Sequence, residues 1–135
     1  MVNIGDMTIQ GQAALLPNAR CVALNWDFSN ATQTQAITGL GFKPSAIMIH
    51  IGHYNTFSSS VGWSSQDYPN GSNMARFSAT ADRVNFGQIV NLTQTAGVDY
   101  MTATISSYDT DGFTISWVRT GTPTGQLNGY FMAFK

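Results

Sequence analysis

The sequence contains no glutamate, and only two lysines, Lys43 and Lys135; its seven acidic residues are all aspartates. Charged residues make up 10% of the chain, against about 25% in an ordinary soluble domain. Glu, Lys and Leu fill exposed helix faces, whereas Thr, Val, Ile, Tyr, Phe and Trp fill strands. The shortage of the first set argues against a helical protein and for an all-β one. Cys21 is the only cysteine, which excludes an intrachain disulfide. The formal charge is −1 and the four arginines are scattered, so there is no electrostatic footprint for nucleic acid. No apolar run approaches the roughly 18 residues needed to cross a bilayer. The opening "MVNIGDMTIQGQ" lacks the basic and apolar regions of a secretory signal. Neither membrane insertion nor secretion is therefore expected. Disorder is not expected either, because 43% of the residues are hydrophobic and net charge is low.

What the chain does have is Ser, Thr, Asn and Gln between short alternating apolar segments. At 135 residues it fits one domain, long enough to bury around two thirds of its unfolded surface. Residues 1–18 show no sustained periodicity and end at "LLPN", where Pro17 and Asn18 break the chain; they read as an N-terminal arm. Residues 19–135 read as the sandwich domain. Strands are expected near 19–27, 33–38, 45–51, 57–63, 74–80, 84–92, 100–107, 112–119 and 127–135. The clearest is 112–119, where Phe113, Ile115 and Trp117 oppose Thr114 and Ser116, as a half-buried strand demands. The "SYDTDG" between the strands at 100–107 and 112–119 favours a tight hairpin. The expected fold is an antiparallel, jelly-roll-like β-sandwich of about eight or nine short strands.

Several motifs admit a chemical reading. Gly39-x-Gly41 before Phe42-Lys43-Pro44 could cradle a phosphate, but a strand follows where Walker and dinucleotide loops need a helix N-terminus. The glycines and Pro44 read as a chain corner. His50 and His53 form H-x-x-H, yet a zinc site wants three or four ligands and no recognisable set accompanies them. With strand 45–51, His50 faces away from the isoleucine row and His53 lies past the strand end. Asp109-x-Asp111-Gly112 resembles the start of a calcium loop without its remainder, and reads as a turn. No serine sits in G-x-S-x-G. Paired carboxylates would have to come from aspartates that lie mostly in turns. No enzyme activity, metal or cofactor is expected. The polar stretch 55–73 and its neighbour Tyr54 bring together Tyr54, Trp63 and Tyr68 amid Ser, Asn and Gly. Such aromatics suit a binding surface for sugar or protein, or they fold back onto the sandwich beneath a solvated loop.

Four segments, in order, carry a resemblance. They are "QTQAITGLGFKPSAIMIH", then Gly62-Trp63, then Arg76-Phe77-Ser78, then "SYDTDGFTISWVRTGTPTGQLNGYFMAFK". Together they resemble small β-sandwich proteins and domains of tailed-bacteriophage virions, with their "LGF-x-P" corner, Arg-led strand, "D-x-DGFTL-x-W" strand and closing aromatic strand. The likeness covers residues 33–135. A looser one exists to H-type lectins, though no sugar-binding set matches residue by residue. The resemblance implies a virion structural protein assembled in the bacterial cytoplasm. The expected role is a capsid decoration or cement protein, a homotrimer on the major capsid protein. The alternatives are a tail-tip or fibre module binding host glycans, and a minor tail protein.

Overall fold

The computed structural model describes residues 18–54, 56, 58–78 and 81–135. They form ten strands: β1 (Ala19–Asp27), β2 (Gln33–Ile37), β3 (Ala46–His53), β4 (Ser59–Ser65), β5 (Ser72–Ser78), β6 (Ala81–Phe86), β7 (Val90–Thr95), β8 (Asp99–Asp109), β9 (Gly112–Thr120) and β10 (Gln126–Phe134). The larger sheet has six strands in the order β1-β10-β3-β4-β5-β6, and the smaller has four in the order β2-β9-β8-β7. Every neighbouring pair is antiparallel. The architecture is the expected all-β sandwich. Its outer wrap, β1 beside β10 and β2 beside β9, is jelly-roll-like, while β3–β6 and β7–β9 are plain meanders. Of the expected arm, residues 1–18, all but Asn18 lies outside the described residues.

Alternation explains the core. Leu24, Ile47, Ile49, Ile51, Leu127 and Phe131 point inward from the larger sheet and meet Leu92, Met101, Ile105, Phe113, Ile115 and Trp117 from the smaller one. Each such side chain contributes about 1.5–3 kcal/mol on burial. Phe113 meets Phe131 edge-on at 4.9 Å, and Trp117 stacks on Trp26 at 5.3 Å.

The described residues hold ten strands rather than eight or nine because the segment 84–92 is not one strand. Gly87 takes a φ of 81°, and its amide donates to the Gly71 carbonyl at 2.9 Å. β6 ends there in the larger sheet, and β7 begins at Val90 in the smaller one. Val84, Phe86, Val90 and Leu92 keep one apolar parity on both sides of the crossing, interrupted at Gln88, so periodicity alone does not reveal it.

The glycine corner does hold an anion, and it is the protein's own. Asp111 accepts from the amides of Gly39 at 2.9 Å and Gly41 at 2.6 Å through its carboxylate. Its carbonyl accepts from Leu40 at 3.1 Å. Gly39 and Gly41 reach this geometry at φ of 84° and 79°, which only glycine adopts cheaply. A Cβ on Gly112 would overlap the carbonyl of Ile37. The corner and the β8–β9 hairpin thus form one clasp.

Candidate interaction surface

The polar run "SSSVGWSS" is a strand with two characters. Its inward side chains, Ser58, Ser60 and Ser64, are fully buried. Ser58 accepts from the Thr93 amide at 2.8 Å and Ser60 from the Asn91 amide at 3.2 Å, satisfying the open edge of β7. The Ser64 hydroxyl sits 2.7 Å from the Tyr108 hydroxyl and donates to the Pro69 carbonyl at 2.9 Å. Burial raises the Tyr108 pKa above the usual tyrosine value, and the Ser64 hydrogen bond partly offsets this. Gly62 faces inward as well, because the Ile89 carbonyl occupies the space of a side chain there. The serines are therefore seam residues between the sheets.

The outward side chains of the same strand, Val61 and Trp63, belong to a different surface. The register of the larger sheet aligns Cys21, Met132, Met48, Trp63, Ser72 and Phe86 in one row across all six strands. The next row reads Ala23, Tyr130, His50, Val61, Met74 and Val84. A third reads Asn25, Asn128, Gly52, Ser59, Arg76 and Asp82. The first two rows form a largely apolar band on the solvent side, interrupted by His50 and by the nearly buried Ser72. Its charges are confined to the margin, where Arg76 and Asp82 pair at 3.8 Å. The band is uneven: a hollow of about 270 Å³ opens among Cys21, Met48, His50, Val61, Tyr130 and Met132. Monomeric proteins seldom leave a largely apolar surface of this kind in water, and such patches mark places where another molecule docks.

The three aromatics expected to bind are all exposed: Tyr54 at 80%, Trp63 at 52% and Tyr68 at 70%. They do not fold back, but they do not converge either. Tyr54 follows β3 and Tyr68 follows β4, so they flank opposite ends of β4, about 20 Å of strand apart. Trp63 alone stands in the apolar band. The remaining band residues, among them Met48, Val61, Met74, Val84, Phe86, Tyr130 and Met132, escaped the sequence reading. For Met48, Tyr130 and Met132 a signal exists in "AIMIHI" and "YFMAF", where both parities are apolar, as in strands covered on both faces; Val61, Met74, Val84 and Phe86 have none in their own strands.

His50 projects outward into the band, and His53 is the last residue of β3 rather than beyond it. His53 is buried, with Nε2 at 2.8 Å from the Thr124 carbonyl. Among the described residues, no three His, Cys, Asp or Glu side chains gather to hold a metal ion. No protein-family model, curated protein or solved structure matches the chain.

Proposed function

We propose that this chain is a structural subunit of a bacteriophage virion, a capsid decoration or cement protein that works by burying surface against other subunits. The observation that carries the reading is the apolar outer band of the larger sheet, which the sandwich does not need for its own core. Apolar burial is little weakened by salt, whereas contacts between exposed charges are screened. Each bound copy would stabilise the intact shell by mass action. The residues behind the virion resemblance, Gly39, Gly41, Asp111 and Gly112, make the corner clasp; they speak for the fold, and the band speaks for assembly. The arm, about 60 Å long if extended, would drape over the major capsid protein as an anchor.

The test is addition of purified protein to undecorated heads, followed by heating. Longer shell survival with full-length protein, lost on deleting residues 1–18 while the sandwich stays folded, is the expected result. Heads that gain nothing overturn the cement role. The exposure of Tyr54, Trp63 and Tyr68 favours a second reading, a tail-tip module that stacks on host glycans. Saturable binding on a glycan array would select it, and a stained gel of virions separates shell from tail by copy number.

A further inference from the structure

We infer that the partner covering the apolar band is a second copy of this chain, docked about a twofold axis that lies in the interface and runs nearly along the strands. The inference rests on the assembly reading and names the occupant of that surface. The relief of the band carries it. Its β6 edge is a ridge, with Phe86 83% and Val84 62% exposed, while on β5 Met74 is 57% and Ser72 only 7% exposed. Its β1 edge is low, with Cys21 and Ala23 small, and the hollow of about 270 Å³ lies over β10, β3 and β4, between Cys21, Met48, His50 and Val61, with Tyr130 61% exposed at its rim. A twofold axis between β3 and β4 exchanges β1 with β6, β10 with β5 and β3 with β4. It lays Phe86 and Val84 of each copy over the Cys21 and Ala23 edge of the other, and Met74 and Trp63 over its hollow, which is the self-complementarity an isologous interface requires.

In the two apolar rows the pairing it produces sets Met132 against the partner's Ser72 and is otherwise chemically consistent. Trp63 meets the partner's Met48 and Met74 meets the partner's Tyr130, two sulfur–aromatic contacts that repeat by symmetry. Val61 meets the partner's His50, Phe86 meets the partner's Cys21, and Val84 meets the partner's Ala23. On the margin Arg76 meets the partner's Asn128 and Asp82 meets the partner's Asn25, so no like charges oppose. The size also suffices. Six strands at about 4.8 Å and three rows at about 6.8 Å give roughly 600 Å² of planar area per copy. Two copies then remove more than about 1,000 Å², the scale of a specific stable interface. Sheets stacked this way sit about 10 Å apart and cross at about 30°. The proposed assembly is a back-to-back dimer, which differs from the homotrimer that the resemblance implies.

Sedimentation equilibrium of the full chain, with a cross-linking arm, tests this. A dimer is expected at micromolar concentration, and Val61→Lys, close to the axis, should raise its dissociation constant by about 30-fold or more while leaving the melting temperature of the monomer unchanged. In the wild type the two Cys21 residues lie at opposite edges, about 24 Å apart, beyond a short bismaleimide. In Phe86→Cys each new thiol faces the partner's Cys21 across about 10 Å, so the same reagent should give a covalent dimer, abolished by adding Cys21→Ser. A monomer, a trimer, a dimer indifferent to Val61→Lys, or no Phe86→Cys cross-link overturns the inference. So does a monomer that Val61→Lys unfolds, since the band would then be covered by residues of its own chain. Heads stabilised by a protein that remains monomeric would sink the dimer and keep the virion reading; a cross-linked dimer that binds no virion part would do the reverse.

Discussion

On the smaller sheet the outward rows read Thr34, Ser116 and Thr104, then the exposed Val118, the nearly buried Thr102 and Asn91. On the larger sheet the corresponding rows read Cys21, Met132, Met48, Trp63, Ser72 and Phe86, then Ala23, Tyr130, His50, Val61, Met74 and Val84. Both sheets use the same alternation and share one core, and threonine satisfies the strand preference of an exposed position as well as valine or methionine does. The smaller sheet therefore shows what this fold needs on a solvent face. The larger sheet exceeds that need, and the excess is the functional signal. Neither face draws on charge: lacking glutamate and nearly lacking lysine, the chain tunes its surfaces by choosing between hydroxyls and hydrocarbons.

The comparison is sharpest between two tryptophans. Trp117 lies in the core, stacked on Trp26 with its indole N–H donating to Gln35 at 3.0 Å. Trp117→Ala should cost about 3–5 kcal/mol, as large-to-small changes of buried aromatics do. Trp63→Thr, which gives the larger sheet a side chain typical of the smaller one, should cost below about 1 kcal/mol in the isolated monomer and instead weaken assembly. Urea unfolding of both variants at a concentration where the protein is monomeric measures the difference. Equal losses would mean that Trp63 is a core residue and that the two faces do not differ in the way described.

A smaller effect is expected at the clasp that ties the β8–β9 hairpin of the smaller sheet to the corner before β3. Asp111→Ala removes two hydrogen bonds to a carboxylate and leaves the Gly39 and Gly41 amides to water. Charge-assisted bonds contribute more than neutral ones, but this site is exposed, so about 2 kcal/mol is the expected loss. Asn at the same position should recover part of it. Stability unchanged by Asp111→Ala would show that the smaller sheet keeps its place without the clasp.

The sandwich was legible because alternation, turn chemistry and charge depletion agree along most of the chain. Phe113, Ile115 and Trp117 announce their inward face, and "DTDG" announces its hairpin. Two things were hidden. The passage from β6 to β7 keeps its parity while changing sheets, so only the partners of Gly71 and Ala103 reveal it. The stretch from Ser58 to Ser64 reads as polar surface because its serines bond backbone groups of a strand remote in sequence. The apolar band was hidden for a related reason: single outward Met, Val or Phe residues look ordinary in each strand, and only register lines them up. Tyr54, Trp63 and Tyr68 stood out by composition, yet neighbours in sequence are parted by the length of β4.

The smallest expected effect concerns the seam that holds the two faces back to back. Ser64 of the larger sheet and Tyr108 of the smaller one share a hydrogen bond of 2.7 Å. Burial disfavours the phenolate and raises the Tyr108 pKa above its ordinary value of about 10. A group whose pKa is higher in the folded state contributes its full stabilisation below the unfolded value, and loses it as pH rises through the folded value. The seam should therefore hold unchanged from neutral pH to about 9 and weaken above about 10. Tyr108→Phe should cost about 1 kcal/mol at pH 8, the net worth of one hydrogen bond, and should lack this alkaline loss. The gap between wild type and variant then closes as the wild-type phenol ionises. Urea midpoints for both proteins across pH 7–11 report it. A gap that stays constant through this range would show that Tyr108 ionises as freely in the folded chain as in the unfolded one, and that the seam does not bury it.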